Sequence, residues 1–300
     1  MTVHTISNIF IFNGRNVGTA INVTFRASPG DIISIKAGTK DLASINTVID
    51  GRGYTLLRAF IDANVDTAAT NTDLPIFASY GIGTTMRAES IAEIGLPTYL
   101  ASGLIATAQA TDGSQIHPRR KTGTVQAGFN VITLVPIDDF IETKMSEGLA
   151  ARNIAYIPTL CMVQAIVPLL LQQASDGVED VSFDYALANV KKLYDAGVRI
   201  CAGTESNQIS HVPISIRESL HKEMELLVGA GLSNLDALRA ATIIPAMVFG
   251  IGHRGEISLG RRADMVLVEG DPLRDITATR RIRKVWIGGV EIDGWDAVPV

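Results

Sequence analysis

Residues 1 to about 57 alternate hydrophobic and polar positions with a period near two and show no helical periodicity. Ile9, Phe10, Ile11 and Phe12 run up to the turn pair Asn13-Gly14. Val23 and Phe25 alternate with polar neighbours, and Ile32, Ile33 and Ile35 follow Pro29-Gly30. The stretch from about 257 to 292 has the same texture: Met265-Val-Leu-Val268, then Asp271-Pro272, then Val285-Trp-Ile287 ending at Gly288-Gly289. Two strand-rich ends around a different middle predict one β-sandwich built from both termini.

The middle alternates between two periods. Short apolar runs suited to buried parallel strands lie at 60–65, 99–105, 131–135, 155–160 and 198–202. Helical spacing follows the later runs. Over 183–196, Tyr185, Leu187, Val190, Leu193 and Tyr194 recur at intervals of three and four, with Gly197 placed as a C-cap. Residues 216–228 repeat the pattern, with Gly229 and Gly231 beyond. Ser233, with Asp236 three positions on, then opens a helix over 235–241. Strand–helix alternation of this kind predicts an α/β fold with a parallel sheet, open or closed into a barrel.

Composition narrows the class without changing that picture. Apolar residues make up 47% of the 300-residue chain and charged ones 19%, which is globular. The net charge of −5 comes with no basic stripe, so a nucleic-acid partner is not expected. The basic run Arg119-Arg-Lys121 reads as a solvated loop. The N-terminus lacks a basic segment followed by an apolar one, and no apolar stretch approaches the roughly 18–20 residues that span a bilayer. Cys161 and Cys201 sit in apolar, strand-like stretches without metal or redox spacing. A cytoplasmic protein with buried free thiols is the expectation.

Specific segments resemble one superfamily. Val48-Ile-Asp-Gly-Arg-Gly-Tyr-Thr-Leu-Leu57, followed by Phe60-Ile-Asp-Ala-Asn-Val-Asp66, is similar to the entry of metal-dependent amidohydrolase barrels, where a sandwich strand leads into a first barrel strand G-x-I-D-x-H-x-H. Ala230-Gly-Leu-Ser-Asn-Leu-Asp-Ala-Leu-Arg-Ala-Ala-Thr242, Pro245-Ala246, Gly260-Arg-Arg-Ala-Asp-Met-Val-Leu-Val268 and Asp271-Pro-Leu273 resemble its closing helix and return strands. The likeness is to the imidazolonepropionase and prolidase-like kind. It implies an amidohydrolase-type (β/α) barrel over 58–256, here incomplete, and a small β-sandwich from 1–57 and 257–300.

The resemblance also implies a chemistry. Relatives hydrolyse carbon–nitrogen bonds other than ordinary peptide bonds, in cyclic amides or acylated small molecules, with zinc or another divalent metal activating water. Carried over residue by residue, most of that machinery is replaced. The two first-strand histidines fall on Asn64 and Asp66, and the strand-six histidine on Leu134, which has no lone pair. The strand-eight aspartate falls on Glu205 in Ala202-Gly-Thr-Glu-Ser206, which keeps a carboxylate as candidate general base. Only about two dozen residues separate Thr107, at the end of an apparent strand three, from Val131. Two βα units need some 50–60 residues, so those carrying the lysine and the strand-five histidine are missing, and Lys121 does not replace them.

Three explanations of the gap stay open: altered packing, edges covered by another subunit, or a truncated gene product. His211 and His221 are candidate substrate-pocket residues. His4, His117 and His253 read as surface residues, and Asp138-Asp139 as a solvated pair at a strand end. No metal ligand is assigned. The partner expected is a small-molecule substrate or ligand, in an impaired hydrolase or in a catalytically silent binding relative.

Overall fold

The period-two pattern of the two ends becomes one sheet. In a computed structural model, residues 2–18, 20–37, 46–65, 73–87, 98–101, 105–107, 130–173, 181–207, 212–252 and 254–292 are described. With strands numbered in chain order, the first part supplies β1 (Val3–Ile11), β2 (Ile21–Arg26), β3 (Ile32–Lys36), β4 (Thr47–Asp50) and β5 (Tyr54–Arg58). The last part supplies β13 (Met265–Glu269), β14 (Ile282–Ile287) and β15 (Val290–Glu291). The order is β15-β14-β13-β5-β1-β2-β3, with β4 beside β1. At the β3 edge, Ile32 N–H donates to Arg261 O at 2.9 Å and Ala263 N–H to Gly30 O at 2.7 Å, which ties this edge to the segment entering β13. Gly30 is required there. Its φ is +87°, and a Cβ would lie 2.1 Å from the Gly288 carbonyl oxygen.

Strand alternation divides the sheet's side chains between two cores. Ile6, Ile9, Val23, Phe25 and Leu56 meet Met265, Leu267 and Trp286 in one cluster drawn from both ends of the chain. Their neighbours Leu57, Val266, Val268, Val285 and Ile287 face the other way, into the larger core shared with the helices.

The middle forms two parallel sheets. β6 (Phe60–Asp62), β7 (Ile82–Arg87) and β8 (Thr98–Ala101) make one, in the order β6-β7-β8. β9 (Ile105–Thr107), β10 (Val131–Thr133), β11 (Ala155–Ile157) and β12 (Arg199–Ile200) make the other, in the order β12-β11-β10-β9. They meet just past β6 and β12, where Ala63 N–H donates to Ala202 O at 2.9 Å and Val65 bridges Ser206 in parallel. Among the described residues the pairings do not close an eight-stranded cylinder, in keeping with an incomplete amidohydrolase-type barrel.

The run expected as one strand over 99–105 is divided. Its first part pairs with β7, its continuation Ile105–Thr107 pairs with β10, and residues 102–104 lie outside the described residues. β9 therefore lies directly beside β10, with no strand of the missing units between them.

The helices are α1 (Leu74–Ser79), α2 (Thr143–Ala151), α3 (Leu160–Gln173), α4 (Phe183–Asp195), α5 (Ser219–Gly229), α6 (Asn234–Ala240) and α7 (Ile243–Val248). Leu160, expected to end a strand, instead opens α3, and Cys161 lies in a first helical turn and not in a strand. The expected 216–228 helix begins at Ser219, because residues 216–218 form a turn. His4, expected at the surface, lies in β1 with its ring stacked 5.3 Å from Phe25. Both cysteines are free and buried. No helix among the described residues is long and apolar enough to cross a membrane.

Candidate active site at the strand ends

The C-terminal ends of β6 and β12 bring Asn64 and Glu205 together. The Asn64 side-chain amide donates to the Glu205 carboxylate, and Glu205 N–H donates to Asn64 O at 2.8 Å. Beneath them Asp62 is 1% exposed. Its Oδ1 accepts from Thr204 N–H at 3.0 Å and Asn64 N–H at 3.3 Å, and its Oδ2 accepts from Thr204 Oγ1 at 2.7 Å. Burial pushes the Asp62 carboxyl up to about 7 against the pull of those hydrogen bonds, and the nearby Glu205 charge adds to the rise.

Backbone strain gathers on the same side. Leu134 just after β10 (φ +63°), Thr159 after β11 (+55°) and Glu205 after β12 (+57°) all occupy the left-handed region without being glycine. Such conformations cost of order 1–3 kcal/mol each and cluster at functional sites. Three neighbouring strands thus each end in a strained residue on the barrel face where sites of this architecture lie. The wall below is apolar: Ala63, Val131, Ala155, Ile157 and Cys201 pack together, with Ile244, Val248 and Phe249 against them.

Of the residues singled out in the sequence, Asn64 and Glu205 are joined here. Asp66 and His211 lie outside the described residues. His221 is placed elsewhere. It is 1% exposed, its Nε2 lies 3.0 Å from Tyr80 O, and its ring meets Phe60, the first residue of β6, edge-on at 5.4 Å. Burial lowers its pKa to about 4, so the ring is neutral at pH 7. Leu134, at the strand-six histidine position, is buried.

Among the described residues, Asn64 commits its amide N–H to Glu205, Leu134 has no lone pair, and no group of three or more His, Cys, Asp or Glu stands together; Asp66 and His211 lie outside the described residues.

Sequence reasoning did not assign a role to Glu223. It reaches from α5 to the start of α3, where Oε1 accepts from Leu160 N–H at 2.9 Å and Oε2 from Cys161 N–H at 2.8 Å. This carboxylate caps the helix by occupying its unsatisfied N-terminal donors. Burial pushes it up to about 7, with a contribution from the Asp62 charge. The same burial raises the Cys161 thiol well above its usual range, which leaves it an inert packing group.

Comparisons with known proteins agree with this architecture. Residues 179–292 match the amidohydrolase family. Imidazolonepropionases of Deinococcus radiodurans and Deinococcus deserti are 28% and 30% identical over 105 residues. That segment is 34% of this chain and 26% of each relative, so the matched part spans about a quarter of theirs. Across nearly the whole chain the fold is similar to molinate hydrolase (TM-score 0.77, 14% identity, 99% of this chain and 96% of that one). It is also similar to an ochratoxinase of A. niger (TM-score 0.73, 13% identity, 98% and 96%). A prolidase complexed with N-methylphosphonate-L-proline is a third neighbour (TM-score 0.70, 16% identity, 97% and 99%). At these identities the structural likeness is one of fold.

Proposed function

We propose that the chain is an amidohydrolase-superfamily protein of the imidazolonepropionase- and prolidase-like kind, with a site for cyclic amides or acylated small molecules and Glu205 as its proton acceptor. The hydrolase lineage is the premise, and non-peptide carbon–nitrogen bonds are the substrate class read from it. One observation carries the proposal: Glu205 stands at the end of the last barrel strand in a strained conformation, oriented by Asn64. A carboxylate held in this way can take a proton from water or from a bound N–H. Asp62 and Thr204 act as positioning residues for the loop that carries it.

A second reading is favoured by the donor chemistry. With an amide at position 64 and a leucine at position 134, the chain is a catalytically silent relative that binds a ligand or partner through the remnant site. The composite β-sandwich of 1–57 and 257–300, the barrel of 58–256, and a homo-oligomer covering the remaining strand edges belong to the same proposal.

Metal analysis of the purified protein, with a turnover panel of lactams and acyl amides, separates the two. Stoichiometric zinc with turnover supports the hydrolase, and metal-free protein without turnover supports the binding relative. Where turnover occurs, Glu205→Gln is expected to reduce kcat by a hundredfold or more; full activity in that variant removes Glu205 as the base.

A further inference from the structure

A cleft of about 520 Å³ opens between the loop that follows β10 and the first turns of α4. Phe140, on the loop, is 54% exposed. Its ring meets that of Tyr185, on α4, at 4.8 Å with the planes at 72°, so two aromatic rings stand almost at right angles and form a corner. Val181 is buried beside them. The corner is held in place from below. Buried Asn189, one turn beyond Tyr185, accepts from Ile141 N–H at 2.7 Å and donates to Asp139 O at 2.8 Å, and Ser182 N–H donates to Ile137 O at 2.8 Å. Both chain neighbours of Phe140 are thus tied to α4, and the ring is exposed on a fixed backbone. A preformed corner of this kind costs little ordering when it is filled.

The charge around the corner has one sign. The stretches 137–142 and 182–188 carry Asp138, Asp139, Glu142 and Asp184 and contain no lysine or arginine. Asp184 lines the cleft, and Lys144, the nearest basic residue in the chain, does not. Asp139, Glu142 and Asp184 form no ion pair among the described residues. No group of three or more His, Cys, Asp or Glu among those residues could hold a metal ion, so a bare inorganic cation is not the match. Aromatic rings with carboxylates about them suit a cation whose charge is spread over methyl groups, because it sheds water easily and is attracted to both. We propose that this corner binds a small organic cation of the quaternary ammonium class, held by Phe140 and Tyr185 and by the carboxylates around them. The cleft shares no residue with the Glu205 site, and the inference stands apart from that reading.

The test uses the full chain, with choline and its neutral carbon isostere 3,3-dimethylbutan-1-ol titrated by calorimetry. The parent is expected to bind choline, more weakly as salt rises, and not to bind the isostere. Phe140→Ala and Tyr185→Leu are each expected to weaken choline binding about threefold or more, whereas Tyr185→Phe and Phe140→Trp keep an aromatic ring and should retain it. Asp184→Asn should weaken binding and reduce its salt dependence. Because Phe140 is exposed, Phe140→Ala should melt at the parent's temperature, which separates lost binding from lost folding. Equal binding of choline and the isostere would make the cleft a mere apolar hollow and overturn the proposal. A parent that binds no choline at millimolar concentration overturns it too, as does Phe140→Ala binding like the parent. Glu205→Gln should bind choline normally; loss there, with Phe140→Ala unaffected, would put the cation at the strand ends instead. A trimethyl-lysine peptide that binds far more tightly than choline would replace the small molecule by a protein segment and overturn the assignment.

Discussion

Asp62, Glu223 and His221 are three buried titratable groups whose protons respond to pH in opposite senses. Burial raises the two carboxyls from ordinary values near 4 to about 7 and lowers the imidazole from 6.5 to about 4. Between about pH 4.5 and 6.5 the folded chain holds both carboxyl protons and no imidazole proton, whereas the unfolded chain holds only the imidazole proton. The fold therefore binds one proton more, and stability falls as pH rises by about 1.4 kcal/mol per unit until the carboxyls ionise near 7. Glu223→Gln should flatten this slope and His221→Asn should roughly double it, as read by urea unfolding at several pH values. A slope unchanged in both variants would show that other groups set it. Of these residues, Asp62 stood in a legible family segment. Glu223 did not announce itself, because its partners Leu160 and Cys161 lie 63 and 62 residues away and only folding brings them together.

A local signal predicted one helix start, at Ser233, whose cap lies in the chain beside its helix. Ser233 accepts from Asp236 N–H at 3.1 Å as the spacing predicts, and Asp236 is held further by Tyr194 Oη at 2.8 Å and Arg239 Nη1 at 3.0 Å. Ser233→Ala is expected to cost about 1 kcal/mol in urea unfolding, with the far-ultraviolet spectrum unchanged. The loop after β10 depends on a long-range partner. Buried Asn189 accepts from Ile141 N–H at 2.7 Å and donates to Asp139 O at 2.8 Å and Pro136 O at 3.2 Å. Asn189→Ala leaves the buried Ile141 N–H and Pro136 carbonyl unmatched and should cost more than the Ser233 change, about 2–3 kcal/mol. Helix α3 escaped the sequence pattern for two reasons. It is apolar on most sides, so no periodic stripe stands out, and Pro168 interrupts its interior.

The two ends of the chain share one sheet whose opposite faces enter different cores, so neither core can be lost alone. Trp286→Ala removes the largest fully buried side chain among the described residues and should cost about 3–5 kcal/mol. Denaturation should remain a single transition at lower denaturant when followed by intrinsic fluorescence and circular dichroism. Two separated transitions would mean that the terminal sheet unfolds independently. The strand-rich ends, the α/β middle, the resemblance to the amidohydrolases, and Asn64 and Glu205 as separate candidates were legible in the sequence, because alternation, turn residues and contiguous motifs are local properties of the chain. The tertiary structure decided the rest: β9 beside β10, His221 edge-on to Phe60, the Glu223 cap on α3, the joining of Asn64 to Glu205, and the strained strand ends. Each of these depends on desolvation and on contacts between distant residues, which exist only once the strands and helices are packed.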